Sequence, residues 1–177
     1  MDSDRRREKI LTLLREAAGP LTGSELARLC KVSRQVVVQD MAVLRARGEP
    51  VMATPQGYVL LHPGTSTRPT RTLACRHCFS GIEEELEMIL DEGGVILDVV
   101  VEHQLYGELR APLMIRTRRD LNLFLQKMAE TGAKPLSDLT DGIHFHTVEA
   151  DSLEILDRIE EALVSSGILC SDLDKEV

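Results

Sequence analysis

The chain has 177 residues, 21 Lys+Arg against 29 Asp+Glu, 43% hydrophobic residues, four Cys and no Trp. Nowhere do about 18 apolar residues run together, so a membrane-spanning helix is excluded. The N-terminal stretch Met1-Asp-Ser-Asp-Arg-Arg-Arg-Glu-Lys9 lacks the apolar segment of a signal peptide, and so few Cys do not make a secreted disulfide scaffold. A soluble cytoplasmic protein is expected.

The formal charge of −8 is unevenly spread. Residues 1–64 carry 10 Lys+Arg and 7 Asp+Glu, whereas the remainder carries 11 and 22. A basic module joined to an acidic one is the reading, with the seam in the breaker-rich His62-Pro-Gly-Thr-Ser-Thr-Arg-Pro-Thr-Arg71. The expected organisation is a DNA-binding domain over residues 1–64, a linker over 65–71 and a second domain over 72–177.

In chain order, Arg5 to Ala18 reads as a helix with Ile10, Leu13, Leu14 and Ala17 at helical spacing, stopped by Gly19-Pro20. Thr22-Gly-Ser-Glu25 is a capping box opening a short second helix. After a tight turn at Lys31-Val32, Ser33 caps a third helix that runs to about Arg47, with Val37, Met41 and Leu44 on one face. Val51 to Leu61 then reads as two short strands about Pro55-Gln56-Gly57. Helix, helix, turn, helix and hairpin describe a winged helix-turn-helix, whose third helix enters the major groove amino end first. Ser33 and Arg34 are placed to hold phosphate; Arg34, Gln35 and Gln39 to reach base edges; the wing residues Thr54, Gln56 and Tyr58 to touch the DNA backbone. Arg45 is a further DNA-binding candidate.

The second module reads as β-α-β-β-α-β with an added α-β. Its elements are a strand over Thr72 to Cys75, a helix opened by a capping box at Ser80-Gly-Ile-Glu83, strands over Val95 to His103 and Glu108 to Ile115, and a helix capped by Thr117. A strand from Gly142 to Val148, a helix from Asp151 to Ser165 and a last strand from Gly167 to Cys170 complete it. The fold class is therefore α+β: a winged helix-turn-helix followed by a ferredoxin-like α/β sandwich.

Ile143-His-Phe-His146 places two imidazoles on the same face of one strand, with Ile143 and Phe145 expected on the buried face. A strand can supply two ligands to one ion in this way. His77 precedes the first helix and can fold back over its opening turns, where Glu83 and Glu85 border the apolar stripe. Three His and one carboxylate suit Zn, Ni or Fe(II) rather than Ca or Mg. Cys75-Arg-His-Cys78 is a lone C-x-x-C without the second pair that a zinc ribbon needs, so these read as ordinary thiols.

Val32-Ser-Arg-Gln-Val-Val-Val-Gln-Asp40, Leu44-Arg45 and Ala53-Thr-Pro-Gln-Gly-Tyr-Val59 resemble the helix-turn-helix of the niacin-responsive transcriptional repressors. Asp98-Val-Val-Val-Glu-His-Gln-Leu-Tyr-Gly-Glu108 and Gly142-Ile-His-Phe-His-Thr-Val-Glu-Ala150 resemble their 3H domain. The resemblance runs from about Arg7 to Leu169. It implies a dimeric repressor of genes for NAD synthesis or niacin uptake, with nicotinic acid as co-repressor. It also implies a divalent metal, such as nickel or zinc, held by His77, Glu85, His144 and His146. His103 and Tyr106 are expected as effector contacts. One departure bears on the effector: His103-Gln-Leu-Tyr-Gly107 stands where the family has His-Pro-Val-Tyr-Gly. The rival reading is a metal-responsive regulator with no organic effector. An enzyme is not expected, since Glu149, an odd step past His146, lies on the opposite strand face from the imidazoles.

Overall fold

The computed structural model describes residues 2–61 and 67–170 and divides the chain into two compact units, Met1–Thr65 and Ser66–Val177. In the first unit, α1 (Ser3–Glu16), α2 (Gly23–Cys30) and α3 (Arg34–Ala46) precede an antiparallel hairpin of β1 (Val51–Thr54) and β2 (Gly57–Leu60). Each boundary has a chemical cause. The Thr22 hydroxyl accepts the Glu25 N–H while the Glu25 carboxylate accepts the Thr22 N–H, so the capping box forms. Lys31 turns left-handed to end α2, and the Ser33 hydroxyl accepts the Val36 N–H to start α3. Ile10, Leu14, Leu26, Cys30, Val37, Met41, Leu44 and Val51 close the core. Beside that core Asp40 of α3 is buried and receives Arg6 at 2.6 Å and Arg7 at 3.1 Å, which locks α1 onto α3.

The second unit is built from β3 (Thr70–Arg76), α4 (Ile82–Asp91), β4 (Val95–His103), β5 (Gly107–Ile115), α5 (Arg118–Thr131), β6 (Ile143–Glu149) and α6 (Leu153–Ser165). Thr70 and Arg71, expected in the linker, belong to β3. The β-α-β-β-α-β order is the expected one, and the fold is α+β. The four strands run antiparallel in the order β3-β6-β4-β5, with the second and fourth strands of the unit in the middle. A ferredoxin-like sheet has its first and third strands there, so the arrangement is a permutation of that sandwich. Leu86 and Ile89 of α4, Ile96 of β4, Leu121 of α5 and Leu156, Ile159 and Leu163 of α6 are at most 1% exposed. Each such side chain contributes about 1.5–3 kcal/mol of burial.

Three further expectations for this unit do not hold. Ser80 does not cap α4: it lies inside a 3-10 turn, Phe79–Gly81, where its hydroxyl is 3.0 Å from the Cys78 sulfur, and Gly81 occupies the cap position. The last strand is reduced to a single antiparallel bridge between Leu169 and Cys75, flanked by two backbone hydrogen bonds to β3. Finally, the faces of β6 are exchanged. His144, His146 and Val148 are buried, while Ile143, Phe145 and Thr147 are half-buried on the other side. The strand alternates as expected, but its imidazoles belong to the side where α4 packs.

Candidate metal centre

The exchange of faces on β6 has its reason in α4. Ile82, Leu86 and Ile89 press this helix onto the sheet, and the same packing buries Glu85 to 1% exposure. A carboxylate in such surroundings requires partners. Three imidazoles provide them: His77 Nε2 lies 2.7 Å, His144 Nε2 3.1 Å and His146 Nε2 3.5 Å from the same Glu85 oxygen. The rings meet edge to face, with centroids 4.8 Å apart for His77–His144 and 4.9 Å for His144–His146.

The opposite ring nitrogens are all committed. His77 Nδ1 donates to the Cys78 carbonyl at 2.7 Å, His144 Nδ1 to the Gly142 carbonyl at 2.9 Å and His146 Nδ1 to the Asp98 carbonyl at 2.6 Å. Carbonyls only accept, so every Nδ1 carries its hydrogen, and in the neutral ring every Nε2 presents a lone pair. Three lone pairs and a carboxylate facing one point repel unless a cation stands among them. Backbone carbonyls fixing the tautomer in this manner is the outer-shell arrangement of metal-ligating histidines. The residues fit a divalent ion of the Zn, Ni or Fe(II) class.

The electrostatics agree. Where the rings take up protons instead, burial raises the Glu85 pKa, but the His146 charge and hydrogen bonds from His144, His146 and His77 outweigh it and hold the carboxyl well below its usual range. The hydrogen bond to Glu85 draws the His77 pKa upward against desolvation. His146 loses by burial and gains more from Glu85, so its pKa also rises. The site therefore attracts positive charge, whether protons or a metal ion.

Two glycines shape the approach of His77. A Cβ on Gly81 would lie 2.8 Å from its ring, and one on Gly142 would lie 2.3 Å from its carbonyl oxygen. Gly142 also has φ +87°, the left-handed region that suits glycine. Neither was singled out from the sequence, nor was Asp98, whose carbonyl orients His146 while its carboxylate accepts from the Thr147 N–H and from Arg110. Cys75, an ordinary thiol by its sequence context, is fully buried beside this cluster: its sulfur, a Glu85 oxygen and a His144 nitrogen lie within 4.8 Å of one another.

His103 and Tyr106 are placed elsewhere, at the β4–β5 hairpin. The His103 Nδ1 accepts the backbone N–H groups of Leu105 and Tyr106 at 3.2 and 3.3 Å, and its ring stacks on the Tyr106 ring at 5.0 Å. Its nitrogen holds a turn, and Tyr106 is 70% exposed. Neither residue lines the cleft of about 590 Å³ that opens beside His77, where Arg76, Phe79, Asp138 and Asp141 stand.

In the helix-turn-helix unit, Ser33, Arg34, Gln35 and Gln39 are exposed at the amino half of α3, together with Val38, whose apolar side chain gives no such signal in sequence. The other DNA candidates are turned toward the protein. Arg45 Nε donates to the Val51 carbonyl at 3.0 Å and its guanidinium lies 5.9 Å from the Tyr58 ring centre, so both residues brace the wing. Thr54 donates to the Gly57 carbonyl at 2.9 Å, closing the wing turn, whereas the Gln56 amide atoms are buried without a hydrogen-bond partner among the described residues.

Two family descriptions match the chain: an HTH domain over residues 6–59 and a 3H domain over residues 70–172. Among curated proteins it is 43% identical over 169 residues to "Transcription repressor NadR" of Bacillus subtilis (strain 168), covering 94% of each chain. It is 38% identical over 167 residues, again 94% of each chain, to "Probable transcription repressor NiaR" of Thermotoga maritima. No helix among the described residues is long and apolar enough to cross a membrane.

Proposed function

The chain belongs to the 3H-domain family of helix-turn-helix transcription repressors, and from that premise we propose that it represses genes of NAD synthesis or niacin uptake through a metal-containing 3H domain that senses nicotinic acid. Membership makes it a regulator rather than an enzyme. The observation that carries the metal part is the convergence of three tautomer-fixed Nε2 atoms on one buried Glu85 oxygen.

In this reading His77, Glu85, His144 and His146 hold one divalent ion, which when bound supplies a Lewis-acidic position for a carboxylate. The effector is a pyridine carboxylate that enters by the cleft beside His77, where Arg76 offers a positive charge and Phe79, 60% exposed, offers a ring face. The placement of His103 and Tyr106 at the hairpin makes them secondary contacts at most. The protein works as a homodimer, so that two α3 helices meet half-sites about 34 Å apart, one turn of DNA. Ser33 and Arg34 hold phosphate, and Gln35 and Gln39 read base edges. Effector binding raises operator affinity only by as much as the acid prefers the DNA-competent state.

The test is isothermal titration of the metal-loaded protein with nicotinic acid, with nicotinamide as control, paired with DNA binding in the presence of each. Saturable binding of the acid that strengthens DNA binding, and that disappears in His144→Ala, is the expected result. DNA affinity that follows metal loading alone, with neither pyridine bound, would overturn the effector assignment in favour of a metal-responsive regulator.

A further inference from the structure

We propose that Cys75 is a fifth protein donor of the metal centre, bound as a thiolate; the proposal rests on the metal centre described above. The β3–β6 register sets Cys75 directly opposite His144 and Leu73 directly opposite His146. Directly opposed residues project from one face with Cβ atoms about 4.5–5.5 Å apart, so β3 aims one sulfur at the ion and keeps an apolar side chain next to it. The thiol is fully buried. Its sulfur, a carboxylate oxygen and the His144 nitrogen lie within 4.8 Å of one another, near enough for one ion to draw all three into its shell.

Charge gives the physical reason. Glu85, His144, His146 and Cys75 are at most 3% exposed. Three neutral imidazoles and one carboxylate leave a divalent ion with a net charge of +1 in that interior. Buried charge is costly unless it is neutralised. A thiolate brings the centre to zero: the ion binds sulfur, the S–H bond breaks, and the proton leaves to solvent, as a coordinating thiol requires. The added soft donor turns the site toward Zn, Co and Ni and away from Mn and Mg.

The full chain is stripped with a chelator and reloaded with Co(II). Visible d–d bands report that the centre is occupied, and a near-ultraviolet sulfur-to-cobalt charge-transfer band reports a thiolate. Wild type is expected to show both, Cys75→Ser to keep the visible bands and lose the charge-transfer band, and Cys78→Ser to keep both. X-ray absorption of the zinc-loaded wild type, which needs no variant to fold, is expected to show a sulfur neighbour at about 2.3 Å beside nitrogen and oxygen neighbours. Visible bands without the charge-transfer band, and no sulfur shell, overturn the proposal and leave the four-ligand centre standing. Loss of the charge-transfer band in Cys78→Ser instead assigns the sulfur to the wrong residue. Failure to retain any cobalt or zinc removes the centre itself.

Discussion

Replacing Gly142 with Ala puts a methyl group where the carbonyl oxygen of His77 already lies. The added Cβ would stand 2.3 Å from that oxygen, at least 0.7 Å inside the 3.0 Å that real Cβ contacts respect. The obstacle is backbone, so no rotamer change relieves it, and either His77 or the start of β6 must retreat. Both carry proposed ligands: Gly142 also accepts the Nδ1–H of His144 and the backbone N–H of His77. Metal–ligand distances tolerate only about 0.2 Å. The expected loss of affinity is therefore at least that of a disrupted outer shell, about 10–100-fold, or roughly 1.4–2.7 kcal/mol. Gly142 at φ +87° adds a left-handed penalty of about 1–2 kcal/mol to the folding cost. Gly132→Ala separates the two effects, because Gly132 has φ +62° and nothing within 4 Å of its added Cβ. It shares the conformational penalty and spares the site. Competition against a chromophoric chelator measures the affinities, and thermal unfolding measures the stabilities. If Gly142→Ala bound metal as tightly as Gly132→Ala, the reasoning about His77 would be refuted.

Other outcomes follow from the same structure. In the metal-free protein, His77 and His146 have pKa values raised above 6.5, so their contribution is complete below that pH and is lost as pH rises through the raised values. Glu85 lies well below 4.5, so its contribution is lost as pH falls toward that depressed value. Chelated protein should melt highest between about pH 4.5 and 6.5, and added metal should stabilise it more at pH 8 than at pH 6; a metal-free Tm that climbed from pH 6.5 to 8 would contradict this. Thr22→Ala removes the capping box of α2 and should cost about 1 kcal/mol in urea unfolding of the N-terminal unit. Arg34→Ala should weaken DNA binding and reduce the slope of affinity against salt by about 1. Gln39→Ala, by contrast, should change which sequences are bound while leaving that slope unaltered.

Local chemistry was legible wherever a few neighbouring residues decide the outcome. Thr22, Ser33 and Thr117 cap their helices as their sequences indicate, because a hydroxyl three residues from an N–H needs no distant partner. Ser80 follows the same pattern and does not cap, since the chain tightens into a 3-10 turn around it and its hydroxyl pairs with the Cys78 sulfur. The alternation of β6 was readable, but its facing was not. Apolar Ile143 and Phe145 argue for the inside, and only the Glu85 carboxylate, 59 residues from His144 in sequence, reverses that preference. His77, Glu85, His144 and His146 could be grouped from residue type and spacing together with the family resemblance. Cys75 could not, because its place opposite His144 depends on a register between the first and last strands of the sheet.

That register also bears on how the domain is assembled. His77 and Glu85 are eight residues apart and can meet as soon as α4 forms. The histidines of β6 arrive only after β4, β5 and α5 have been traversed, and β6 is wedged between β3 and β4. An ion held by all of them closes a long chain segment, and such long closures restrict the unfolded ensemble most. A chain whose central strand has not docked offers half a shell. Occupancy of the proposed centre would thus be a certificate of completion, withheld until β6 has been inserted between its neighbours.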